Sequence, residues 1–168
     1  MNSFTLQKID SSDDDELFKL IGKELEQRIS APRGSREFLN QIMDLPIGLR
    51  AMAATYELDV SLTLDDLGWH FGNWHSHELT DETARGLEEL GATEMASVFR
   101  QAYEIAKLYW AELGSDKWMA WYAGSALDKA VAALNTRAWD LQKSKGIFKF
   151  WIEYARRYPE RIWVEEVS

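Results

Sequence analysis

Apolar residues recur every three or four positions along nearly the whole chain, and no convincing strand-like alternation interrupts them. The clearest run follows Thr93-Glu94: Met95, Val98, Phe99, Ala102, Ala106 and Tyr109 fall on one face of a helix that Gly114 ends. Earlier, Leu17, Ile21, Leu25 and Ile29 form an i, i+4 stripe. Ser12 offers its cap, and Asp13-Asp14-Asp15-Glu16 place carboxylates at the positive end of the helix dipole. Pro32 and Gly34 stop that element. Ser35 caps a short helix through Met43, and Pro46 suits the first turn of another reaching about Leu58.

The remaining punctuation is of the same kind. Thr63-Leu64-Asp65-Asp66 reads as a capping-box-like start for a helix stopping near Phe71-Gly72-Asn73. Thr80-Asp81-Glu82 opens the next, and Gly91 closes it. Ser115-Asp116 precedes an aromatic segment with Trp118, Trp121 and Tyr122, a spacing that usually marks core but also suits a stacking platform. Ser125 caps a helix carrying Leu127, Ala130, Val131, Leu134 and Leu141. The last helix carries Phe148, Trp151, Ala155 and Tyr158 and stops at Pro159, with Ile162-Trp163-Val164 as a packed tail. The expected fold is all-α: one compact domain over residues 1–168, with about eight or nine short helices around one core.

Composition narrows the function. With 46% apolar residues and eight tryptophans in 168, the chain has material for one core and is unlike a disordered acidic tract. The absence of cysteine excludes disulfides, thiolate nucleophiles and zinc–thiolate sites. No apolar run reaches the ~18–20 residues of a membrane span. Met1–Asp10 carries neither a basic nor an apolar leader segment, so a cytoplasmic setting is expected. A net charge of −9 argues against direct nucleic-acid binding, because phosphates need cations, and suits a basic protein partner. No nucleophile–base triad, P-loop or dinucleotide fingerprint is present, so no catalytic residue or cofactor is assigned.

The charge is concentrated. Residues 51–99 hold ten carboxylates, Glu57, Asp59, Asp65, Asp66, Glu78, Asp81, Glu82, Glu88, Glu89 and Glu94, against the single base Arg85. Helical pairing of Arg85 with its neighbours is worth only about 0.2–0.5 kcal/mol per pair. One base cannot neutralise the group, so a negative patch is expected where these side chains converge. The partner-binding candidates are Asp65, Asp66, Glu78, Asp81, Glu82, Glu88 and Glu89. The basic C-terminal set Lys143, Lys145, Lys149, Arg156, Arg157 and Arg161 solvates a helix end, or docks on the acidic stretch of a second copy. The same acidic stretch contains all three histidines, His70, His75 and His77. Three imidazoles with Asp66 or Glu78 would satisfy zinc, although the spacing is not that of a known zinc helix. The plainer alternative is polar loop residues, with His70 or His75 stacked on Trp69 or Trp74.

Between Asp65 and Ala92, Phe71-Gly72-Asn73 is followed by a helix closing in Leu90-Gly91-Ala92. This stretch resembles a family of DNA-mimic proteins, whose pattern has an aromatic pair, an Asn, and then a helix closing in Ile-Gly-Ala. Tyr158-Pro159-Glu160 resembles the family's helix-ending Pro-Glu, and the similarity runs from about Leu45 to Trp163. Where the family has Asn-Gly-Gly-Phe this chain has Leu64-Asp65-Asp66-Leu67, so that glycine turn does not carry over, and the histidines lie outside the pattern. The resemblance implies an all-helical fold and carboxylates that imitate DNA phosphates to occupy a DNA-binding protein. Two readings follow: a non-enzymatic acidic module binding a basic partner, or a metal-binding protein or metal-dependent enzyme using His70, His75 and His77.

Overall fold

In the computed structural model, which describes residues 5–162, all regular structure is helical. Met1–Phe4 and the tail residues Trp163 and Val164 lie outside the described residues. The elements are α1 (Leu6–Ser11), α2 (Asp14–Arg28), α3 (Arg36–Met43), α4 (Ile47–Leu64), α5 (Leu67–Asn73), α6 (His77–Glu89), α7 (Thr93–Ala106), α8 (Trp110–Leu113), α9 (Trp118–Tyr122), α10 (Ala126–Ser144) and α11 (Ile147–Arg157). Eight of them have seven residues or more, as the periodicity predicts. None is long and apolar enough to cross a membrane.

The fold is organised around α4. Its sequence is apolar on nearly every side, the pattern of a helix surrounded by others. It packs against α2, α3, α5, α6, α10 and α11. Leu49, Met52 and Leu58 are fully buried; truncating any of them to Ala should cost about 2–5 kcal/mol. The α4–α6 contact is close because Gly86 has no side chain: a Cβ there would lie 2.9 Å from the Ala51 carbonyl oxygen. Thr83 donates to the Ala54 carbonyl across the same seam at 2.8 Å. On α5, Gly68 and Gly72 receive the side chains of Tyr122 and Trp118, where added Cβ atoms would overlap the Tyr122 hydroxyl and ring and the Trp118 ring. Trp118 and Tyr122 are therefore core residues rather than an open platform, and Trp121 packs partly buried beside them.

Several helix starts move from where the sequence places them. Asp13, not Ser12, caps α2, in a capping box with Glu16. α4 continues past Leu58 to Leu64, because Leu58, Ser61 and Leu62 are buried and packing overrides the β-branched and serine content. Thr63 is thus still inside α4, and the cap of α5 is Asp66, which accepts from the Trp69 amide at 2.9 Å. α6 begins at His77 under the Ser76 cap, so Thr80-Asp81-Glu82 sits one turn inside it. Its end agrees with the sequence. Gly91 has φ +82°, its amide bonds to the Glu88 carbonyl, and the Ala92 amide reaches the Leu87 carbonyl at 2.8 Å. Leu90-Gly91-Ala92 is a Schellman cap.

Candidate functional site

The acidic stretch occupies α4 from Ala51 onward, α5, α6 and the first half of α7. Folding divides its ten carboxylates into three groups. Six glutamates face an arginine from outside the stretch: Glu57 with Arg33, Glu78 with Arg36, Glu82 with Arg50, Glu88 with Arg100, Glu89 with Arg161 and Glu94 with Arg137. Two aspartates are held by neutral donors. Asp59 is buried and accepts from Gln142, while Asp66 accepts from the Trp69 amide and from the Tyr122 hydroxyl at 3.0 Å. Asp65 and Asp81 are exposed and have no ion pair among the described residues. Six of the nine excess negative charges are thus met by arginines distant in sequence, and the expected patch is smaller than the linear count implied.

Burial separates these groups further. Glu82 is 4% exposed and bound through both oxygens to Arg50, with the Nη2 contact at 2.7 Å; Arg85 approaches it at 3.5 Å. Glu57 and Asp59 are also interior. Burial pushes both carboxyls above their ordinary range, while Arg33 pulls Glu57 back and the Gln142 amide pulls Asp59 back. Burial raises Asp66 as well, against the Trp69 amide and the Tyr122 hydroxyl. Glu89 is partly buried, accepting from the Tyr154 hydroxyl and from Arg161 at 2.7 Å. The C-terminal base Arg161 therefore meets the acidic stretch within one chain, and Arg156 binds Asp14.

The carboxylates reaching solvent on α6 are Glu78, Asp81 and Glu88. Glu78 and Asp81 are three residues apart, neighbours on one helical face at ~6 Å. Seven residues, or about 10.5 Å of rise, separate Asp81 from Glu88. Asp81 and Glu104 of α7 both bear on the Tyr103 hydroxyl, whose pKa rises to about 12, chiefly through burial and then through these two charges. Asp81 and Glu104 are both exposed, on the mutually packed helices α6 and α7. Asp65 lies apart, where α4 meets α5, with its backbone carbonyl accepting from the Trp139 indole at 2.8 Å.

The three histidines take separate positions. His70 is fully enclosed, with Nδ1 2.9 Å from the Ser61 hydroxyl. Burial lowers its pKa to about 3, so it stays neutral. It packs edge-on against Phe71 and Phe99. His75 and His77 each stack on Trp110 at 4.3 Å. His75 Nε2 lies 2.8 Å from the Trp110 carbonyl, and His77 Nδ1 bonds to the Tyr103 hydroxyl. The rings are not gathered as one ligand set, and among the described residues no three His, Asp or Glu side chains form a group that could hold an ion. The stacking partner is Trp110 instead of the adjacent Trp69 or Trp74, a contact 35 residues away that local sequence does not show.

No curated protein and no solved structure matches the chain. A family model described as DMP19-like protein matches residues 43–158, from the end of α3 to the end of α11. The match includes α4 to α11 complete and the Phe71-Gly72-Asn73 and Leu90-Gly91-Ala92 motifs, ends at Tyr158 ahead of Pro159-Glu160, and covers more than half of the chain: it belongs to the DMP19-like (DNA mimic protein 19) family.

Proposed function

We propose that this protein is a non-enzymatic binding module whose exposed acidic surface on α6 and α7 occupies the DNA-binding face of a basic protein. The observation that carries this reading is the family match over residues 43–158, which includes every helix of that surface. The geometry supports it in a narrowed form. Glu78, Asp81 and Glu88 are the outward carboxylates of α6, and Glu104 extends the set onto α7. The ~6 Å between Glu78 and Asp81 is close to the spacing of successive phosphates along one strand, and Glu88 lies about two turns further along α6. Asp65 and the half-buried Asp66 form a second, smaller acidic point at the α4–α5 junction. Glu82 and Glu89 support the surface from within by binding Arg50 and Arg161. A cytoplasmic setting, where DNA-binding proteins are met, belongs to the same reading.

The test begins with capture of partners from cytosol on the immobilised chain, followed by competition with duplex DNA. The expected partner is a basic protein that binds DNA, and DNA and this chain should exclude one another from it. A captured protein that binds the chain and DNA simultaneously would overturn the mimic reading.

A further inference from the structure

A cleft of about 580 Å³ opens between α2 and the α4–α11 core, away from the α6–α7 surface. Its size falls within the range of small-molecule sites, about 300–1,000 Å³. Phe18 and Tyr56 wall it with half-buried aromatic surface, backed by Phe148 and by Trp151, which is 1% exposed and fixed by its indole N–H on Thr55 at 3.0 Å. Gly22, in the middle of α2, lines the opening, and a Cβ built there would meet nothing within 4 Å. Gly at a helix interior weakens the helix relative to Ala. No close contact requires this one, and its effect is to leave the cleft wider.

Charge at the rim selects the occupant. Arg33 lies over the Tyr56 ring at 4.6 Å and is already paired with Glu57. Lys19 and Lys23, one turn apart on α2, line the same cleft and have no ion pair among the described residues. Glu26 is the remaining acid of the lining, so the rim holds an excess of cation. We infer that the cleft binds a flat aromatic monocarboxylate, with its ring against the open sides of Phe18 and Tyr56 and its carboxylate toward Lys19 and Lys23. α2 and Arg33 precede the family-matched residues, so the site lies where this chain's N-terminal helices meet the family core.

Calorimetric titration of the full chain with 2-naphthoate and with the uncharged 2-naphthamide tests the inference. Saturable one-to-one binding of naphthoate, with naphthamide weaker by about tenfold, is expected from loss of a charge-assisted hydrogen bond. Lys19→Gln with Lys23→Gln should bring naphthoate down to the naphthamide level and leave naphthamide unchanged. Gly22→Phe should fill the space and abolish both, while Gly22→Ala should raise the melting temperature. Absence of saturable naphthoate binding, equal affinity for the two probes, or binding insensitive to the lysine variants would each overturn the inference. The lysine variants alter only exposed side chains, so the test stands even if Gly22→Phe does not fold.

Discussion

The inward and outward carboxylates of the acidic stretch come from the same sequence composition and serve opposite ends. Glu57, Asp59 and Glu82 lie inside, each facing a partner brought from 24 to 83 residues away. Glu78, Asp81 and Glu88 lie outside, in water, the first and last beside the exposed Arg36 and Arg100, and Asp81 with no ion pair among the described residues. A buried carboxylate specifies structure, because leaving it without its partner is costly. An exposed one adds little stability and is available for steering a charged partner. Acid content alone therefore does not define a binding face; the division made by burial does.

The largest expected effect lies on the inward side. Arg50→Ala leaves Glu82 buried with only the distant Arg85 contact, and should cost about 3–5 kcal/mol, read from urea denaturation. Gly68→Ala forces a methyl group into the Tyr122 ring beside the Asp66 cap, and overpacking of this kind costs about 1–3 kcal/mol. A retained melting temperature in either variant would break the comparison from the interior side.

His70 sharpens it through pH. Its folded pKa of about 3 lies below its ordinary value near 6.5, so the unfolded chain takes up the proton first as pH falls. The contribution is fully present above about pH 6.5 and declines by about 1.4 kcal/mol per unit below it. The raised carboxyls Glu57, Asp59 and Asp66 have the opposite sign: the folded protein protonates them first, which favours it as pH falls through their range. The histidine should therefore show most clearly between about pH 5 and 6.5. Denaturation of wild type and His70→Leu across that interval should show the slope in the first and a flatter profile in the second. On the outward side, Arg100→Ala removes the exposed partner of Glu88 and should change stability by no more than about 1 kcal/mol.

Much of the fold was legible because the helical period is local. The stripe on α2, the α7 face as far as Ala106, the Ser35 and Ser125 caps and the Gly91 stop all rest on residues within a few positions of one another; the end of α7 does not follow the sequence reading, because the helix stops at Ala106 and a 3-10 turn and α8 intervene before Gly114. The starts of α5 and α6 were less legible. Asp66 and Ser76 won as caps over the equally plausible Thr63 and Thr80 because buried leucines fixed which residues stayed helical. The site was legible only in part. Arg33, Arg36, Arg50, Arg100, Arg137 and Arg161 all fall outside the acidic stretch, so a linear count set them apart from the acids they meet. A signal did exist for one of them: Arg50 immediately precedes the stretch, on the same helix as Glu57 and Asp59. The α2 cleft had no such signal, since a glycine in a helical stripe does not reveal the space beside it.

The central claim is that the outward carboxylates of α6 engage a basic partner. The direct measurement is the association rate and affinity of the captured partner for wild type and for the Asp81→Lys, Glu88→Lys double variant, over a range of salt. Glu89 is left intact because its bonds to Tyr154 and Arg161 would confound the result. Slower association and a loss of most of the salt dependence are expected, since exposed charges act by steering and are screened beyond ~8–10 Å. An unchanged affinity and salt slope in a variant that melts like wild type would contradict the claim, and would leave the acidic surface of α6 as solvated exterior only.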